Sequence, residues 1–145
     1  MKTTARAVVI GGGVVGVSTL YHLAKMGWDD VILLERKELT SGSTWHAAGL
    51  LPLFNLSYSV GKLHQYSVGL YPSLEAETGL HAGFSQVTNI RLATTRDRLD
   101  EYHYYAGVAQ TIGVNVNFLS PEQVKEIWPL ADMDGVIGAI QHPDD

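Results

Sequence analysis

The chain has 145 residues, enough to bury a modest core in one domain. A net charge of −5 excludes the clustered Lys and Arg footprint of a general nucleic-acid binder. The absence of cysteine excludes disulfides, thiolate metal sites and a cysteine nucleophile within the chain, and it fits a reducing compartment.

The N-terminus leads straight into Ala7-Val8-Val9-Ile10, too short an apolar run for a signal-peptide core. No stretch approaches the roughly 20 apolar residues that a membrane span needs. The expected setting is the cytoplasm, or the mitochondrial matrix in a eukaryote, with no membrane and no nucleic acid among the partners. The run Ala7 to Ile10 reads as a strand buried on both faces. A glycine-rich turn follows, and then a helix over residues 14–26 with Val17, Leu20, Leu23 and Ala24 on one face. Gly27 stops that helix, and Val31-Ile32-Leu33-Leu34 reads as a second buried strand. Strand, helix and strand at this spacing make a βαβ unit with a parallel sheet, so the fold class is α/β, Rossmann-like.

Residues 40–57 have no period and are rich in Ser, Thr and Gly, which marks a long functional loop. Val60, Leu63, His64, Ser67, Leu70, Tyr71 and Leu74 then recur at helical spacing. Pro72 is expected to kink or interrupt that helix, and Gly79 to end it. Asn89 to Thr95 alternates as a strand. Leu99, Tyr102, Ala106 and Ala109 mark another helix, and Val114, Val116 and Phe118 a short strand. Ser120-Pro121-Glu122-Gln123 predicts a capping box at a helix start. Val136 to Ile140 is strand-like, and His142-Pro143-Asp144-Asp145 reads as a turn with nothing after it, so the chain is read as truncated at its C-terminus.

Gly11-Gly12-Gly13-Val14-Val15-Gly16 contains the spacing G-x-G-x-x-G. Gly11 permits a tight turn out of the strand. Gly13 lets a pyrophosphate approach the backbone, and Gly16 lets the helix pack close to the strand. The helix start then offers N–H groups and partial positive charge to phosphates. Glu35 ends the second strand where a carboxylate would bind a ribose hydroxyl, and would repel a 2′-phosphate. This fingerprint serves both NAD and FAD. An NAD fold usually moves to its next helix soon after the acid, whereas here a long Ser/Thr/Gly loop follows Glu35.

Glu35-Arg36 and the run Gly42-Ser43-Thr44-Trp45-His46-Ala47-Ala48-Gly49-Leu50 resemble the FAD site of the glycine-oxidase and D-amino-acid-oxidase superfamily. More narrowly, they resemble the dimethylglycine and sarcosine dehydrogenase family. Gly83-Phe84, Ile90-Arg91-Leu92-Ala93-Thr94-Thr95, Pro129-Leu130 and the terminal His142-Pro143-Asp144-Asp145 extend the resemblance over essentially the whole chain. The resemblance implies FAD as cofactor, held covalently through His46 at the 8α carbon of the flavin. It implies that Val14 and Val15 face the phosphates and that residues 42–50 line the flavin, with Ser43 and Thr44 as hydroxyl donors. Arg36 lies near the adenosine or is a plain surface base, and Trp45 is expected to fill the core. The implied activity is oxidation of the CH–NH bond of a small N-methylated amino acid such as dimethylglycine or sarcosine. Oxygen or an electron-transfer flavoprotein would accept the electrons, and tetrahydrofolate would bind a further downstream domain. No catalytic residue is expected within the chain.

The resemblance also divides the chain by role. Residues 1–80 form the FAD-binding unit and flavin loop, and residues 81–145 begin an interleaved substrate-side region. His22, His64, His81, His103 and His142 show no metal-ligand spacing and read as ordinary residues, as does the cluster Tyr102, Tyr104 and Tyr105. Two other readings share the fingerprint: an amine oxidase with non-covalent FAD, and a flavin-free regulatory homologue of the pyruvate dehydrogenase phosphatase regulatory-subunit type.

Overall fold

A computed structural model describes residues 3–145, which fall into two compact units meeting in sequence at Leu50 and Leu51.

In the first unit, β1 (Ala7–Ile10) and β2 (Val31–Leu34) pair in parallel, with Ala7 opposite Val31 and Ile10 opposite Leu34. Between them runs α1 (Val14–Lys25). Gly27, at φ +83, turns the chain out of the helix, where the amides of Met26, Gly27 and Trp28 bond back to the last-turn carbonyls. The strands depart from the expectation of burial on both faces. Ala7 and Val9 are half-buried, while Val8 and Ile10 are exposed, Ile10 at 86%. The period of two sends alternate side chains to opposite faces, and α1 is this unit's single long helix.

The second unit is an antiparallel sheet with helices. Its strands are β3 (Asn89–Ala93), β4 (Asn117–Leu119) and β5 (Gly138–His142), in the order β3-β5-β4. Thr95 leaves the expected strand because its hydroxyl accepts from Arg98 N and caps α3 (Arg96–Ile112). The expected strand Val114 to Phe118 shortens to residues 117–119, since Val114 N bonds back to Ala109 O at the end of α3. The last strand runs two residues beyond the expected Ile140, to His142.

α2 (Tyr58–Thr78) begins at Ser57, whose side chain caps it, and ends at Gly79 with φ +74. It is continuous through Pro72, so the expected interruption does not occur. Proline removes one helical donor, but Gly61 and Val68 of the same helix are buried and hold it in place. A Cβ on Gly61 would lie 2.6 Å from Ile112 Cδ1, so the two helices touch there. Lys62 Nζ and Gln65 Nε2 donate to the carbonyls of Ile112 and Gly113, satisfying the C-terminal end of α3. This packing of α2 on α3 places the compact division at Leu50, well before the division by role at residue 80. α4 (Pro121–Ile127) starts with the expected capping box of Ser120 and Gln123.

The core of this unit gathers Leu53, Val68, Ala93, Tyr102, Tyr105, Ala109, Ile112, Val114 and Ile140. On α3, Tyr102, Tyr105, Ala109 and Ile112 recur on one face, while Tyr104 is 69% exposed. His142, read as an ordinary residue, is fully buried against Tyr105 and Phe54. Tyr105 donates its one hydroxyl hydrogen to Leu53 O (3.2 Å), so His142 Nε2 must donate to the Tyr105 oxygen (3.1 Å). Burial keeps the ring neutral at neutral pH, with Nδ1 buried and unpaired.

Burial and the nearby Arg91 push the His142 pKa down to about 4, while burial raises Asp145 to about 6. These two shifts act oppositely on stability. Below pH 6.5 the unfolded chain takes up a proton at His142 that the fold refuses, so this contribution is complete above pH 6.5 and is lost as pH falls towards 4. Asp145 keeps its proton longer in the fold, so its contribution is complete below pH 3.8 and is lost as pH rises through 6. Asp145→Asn removes the second effect. Urea unfolding of that variant should then show stability rising by up to about 3 kcal/mol between pH 4 and 6.5. A flat profile in the variant would show that His142 is not buried as the neutral ring.

Candidate functional site

The first unit holds a cleft of about 640 Å³ at the C-terminal end of β1 and the start of α1. The chain leaves β1 through Gly11, whose φ of +106 suits glycine alone and whose amide bonds to Leu34 O at 2.8 Å. A Cβ on Gly16 would lie 1.9 Å from Gly11 O, so the first turn of α1 rests directly on the glycine turn. At Gly13, a Cβ would meet Thr44 Oγ1 at 3.0 Å. Gly13 is the N-cap of α1 and brings no capping side chain, and the first turn carries no acid. The positive end of the helix dipole thus has no cap or acid from its own segment, a suitable place for an anion. Val14 and Val15 at that end are 51% and 77% exposed.

Glu35 stands beside the glycine turn. Its Oε2 accepts from Gly12 N (2.7 Å) and its Oε1 from Lys37 N (2.9 Å). The Gly12 hydrogen bond, followed by that from Lys37, holds the carboxyl below its ordinary pKa, so it is ionised at neutral pH. Each carboxylate oxygen keeps capacity for another donor, such as a ribose hydroxyl.

The loop at residues 42–50 reaches the same cleft. Thr44 Oγ1 accepts from Val14 N at 2.9 Å, tying the loop to the helix start. A short 3₁₀ turn, Ser43–His46, follows Gly42. His46 is exposed, its Nδ1 lies 3.1 Å from Gly42 O, and its ring lies against Trp45 with centroids 3.8 Å apart. A carbonyl only accepts, so in the neutral ring Nδ1 carries the hydrogen and Nε2 keeps the lone pair.

The cleft brings together the expected Gly11, Gly13, Val14, Val15, Gly16, Glu35, Arg36, Gly42, Ser43, Thr44 and Ala47. Trp45, His46, Ala48, Gly49 and Leu50 lie outside its lining. Trp45 does not fill the core as expected; it is 66% exposed, because the 3₁₀ turn ends in the open rather than under a helix. The sequence reading missed Thr19, Lys37 and Ser41, which also line the cleft, and Gly12, Leu39 and Thr40, which meet one another outside its lining. Gly12 had a signal, a third glycine where the fingerprint allows any residue. The others carry none that spacing could reveal.

Among the described residues no three His, Cys, Asp or Glu gather as a metal site, and no helix is long and apolar enough to cross a membrane. The family model for FAD dependent oxidoreductases matches residues 6–145. The chain is 46% identical over 144 residues to rat mitochondrial dimethylglycine dehydrogenase, covering 99% of this chain and 17% of that protein. It is 43% identical over 146 residues to human mitochondrial sarcosine dehydrogenase, covering 100% of this chain and 16% of that protein. It is also 39% identical over 145 residues to the mouse mitochondrial pyruvate dehydrogenase phosphatase regulatory subunit, covering 100% of this chain and 16% of that protein. Among solved structures, L-proline dehydrogenase from P. horikoshii superposes with a TM-score of 0.91 at 29% identity, covering 100% of this chain and 38% of that one.

Proposed function

The chain belongs to the FAD-dependent oxidoreductase family, and on that premise we propose that it is the cofactor-holding part of an enzyme that oxidises the CH–NH bond of a small N-methylated amino acid. Dimethylglycine and sarcosine are the proposed substrates, after the names of relatives of which the chain spans 17% and 16%. The observation that carries the reading is the cleft where ionised Glu35 and the start of α1 flank a glycine turn. That geometry fits FAD: a carboxylate for the ribose, a helix start for the pyrophosphate, and Gly13 where a Cβ would intrude. When bound, the flavin accepts the hydride that leaves the N-methyl carbon.

The chain's own residues bind and orient. Val14 and Val15 face the phosphates at the start of α1, where Thr44 Oγ1 already takes the Val14 amide, and Arg36 and Lys37 edge the adenosine end of the cleft. Residues 42–50 carry the loop towards the flavin ring, and Ser43 and Thr44 supply hydroxyls. His46 would be the residue of covalent attachment, its Nε2 supplying the lone pair for a bond to the 8α methyl carbon. Such a link would cost one methyl hydrogen and the imidazole hydrogen, with oxygen as the two-electron oxidant, itself reduced to hydrogen peroxide. Residues 81–145 begin the substrate-side region, and the base that receives the substrate's proton comes from outside this chain. Oxygen or an electron-transfer flavoprotein takes the electrons of turnover, tetrahydrofolate takes the one-carbon unit in a downstream domain, and the setting is cytoplasmic or mitochondrial.

The test uses the full-length protein, denatured in acid, washed and run on a denaturing gel. Flavin fluorescence should stay in the wild-type band and be absent from His46→Ala. A dark wild-type band from a yellow native protein would move the reading to a non-covalent amine oxidase. A protein that stays colourless when given FAD would favour the regulatory reading, which the likeness to the phosphatase regulatory subunit keeps in view.

A further inference from the structure

Thr40 has φ +65, a left-handed conformation that a β-branched residue adopts only when its surroundings impose it. Its surroundings centre on Gly12. Thr40 N donates to Gly12 O at 2.9 Å, while Gly12 N donates to Glu35 Oε2 at 2.7 Å. Leu39 and Glu35 cover the third side, since a Cβ on Gly12 would come within 2.5 Å of Leu39 Cδ2 and 3.1 Å of Glu35 Cβ. Both backbone polar groups of the central loop glycine are therefore held by the segment that leads into the flavin loop. A second tie, Val14 N to Thr44 Oγ1, fastens the loop four residues further on. The 3₁₀ turn then runs without a break from Ser43 to His46.

We propose that Thr40 is a positioning residue for covalent flavin attachment: its left-handed turn, locked onto Gly12, fixes the root of the His46 turn to the phosphate turn. The inference rests on the reading of His46 as the attachment residue. A cofactor seated by its phosphates on the glycine turn then meets a histidine whose place is set by that same turn. Without the lock, phosphate binding persists while the histidine samples many poses, and a small misplacement costs rate steeply.

The experiment follows FAD added to flavin-free full-length protein. Three quantities are read: the rate at which fluorescence becomes resistant to denaturation, the total FAD bound, and the unfolding midpoint. Thr40→Gly admits the left-handed turn but frees the backbone to leave it. It should attach flavin about fivefold or more slowly, with total binding and midpoint near wild type. Thr40→Asn, which tolerates the left-handed region, should attach faster than the glycine variant. The proposal is overturned if Thr40→Gly attaches at the wild-type rate, or slows only as far as FAD binding or the midpoint falls. It is also overturned if the asparagine variant is as slow as the glycine one. A wild-type protein that binds FAD but never forms the bond defeats the reading of His46 itself, and the inference with it.

Discussion

Gly16→Ala in the full-length protein is expected to cut bound flavin below about a tenth of the wild-type content, because the added methyl has nowhere to go. Its Cβ would stand 1.9 Å from Gly11 O and 3.1 Å from Gly11 C. These are backbone atoms, so no side chain can swing aside. Either α1 lifts from the turn or the turn unwinds, and both move the Val14 amide away from Thr44 and from the phosphate position. Overpacking of this kind costs about 1–3 kcal/mol, sometimes more, so the first unit should also lose stability. Flavin absorbance per protein and thermal unfolding read the two effects. Gly107→Ala is the control: it lies within α3 with nothing within 4 Å of its Cβ position, and it should stabilise by about 1 kcal/mol. Wild-type flavin content in Gly16→Ala would mean that the helix does not rest on the turn as described.

The largest expected loss of stability is at Tyr105. The side chain is fully buried, and its ring stacks on Phe54 with centroids 4.1 Å apart. Its hydroxyl joins Leu53 O to His142 Nε2. Tyr105→Ala should cost about 3–5 kcal/mol, the range for emptying a large aromatic site. Tyr105→Phe keeps the ring and removes the oxygen, leaving a buried carbonyl and a buried imidazole N–H unpaired. It should cost about 1–3 kcal/mol. Urea unfolding of both variants separates packing from hydrogen bonding. A phenylalanine variant as stable as wild type would show that the hydroxyl makes neither bond. Desolvation holds the Tyr105 pKa up at about 12, so the phenol stays protonated and keeps its hydrogen for Leu53 across the working pH range.

Local chemistry could be read directly from the chain. The spacing of Ala7 to Ile10, the glycine turn, α1 and Val31 to Leu34 specified a βαβ unit, because period and stop signals are local properties. Ser120 and Gln123 specified their capping box for the same reason, and Gly79 its left-handed stop. The expected kink or interruption at Pro72 fails as an interruption, because the rule against helix-interior proline ignores packing. Gly61 against Ile112 and the buried Val68 hold α2 together regardless. Trp45 was misread because apolar character does not tell where a turn will end.

The cofactor site divides in the same way. By itself the sequence determined the glycine turn, the acid after β2 and the histidine in a Ser/Thr/Gly loop, since each depends on residue type at a fixed local spacing. Only the tertiary structure decided what grips what. Gly12 is held by Glu35 and Thr40, Val14 by Thr44, and His142 by Tyr105, across separations of 23, 30 and 37 residues for the side-chain bonds of Glu35, Thr44 and His142. The left-handed turn at Thr40 and the buried neutral His142 belong to that second class. Each is unfavourable alone and exists because distant residues close around it, which no local pattern encodes.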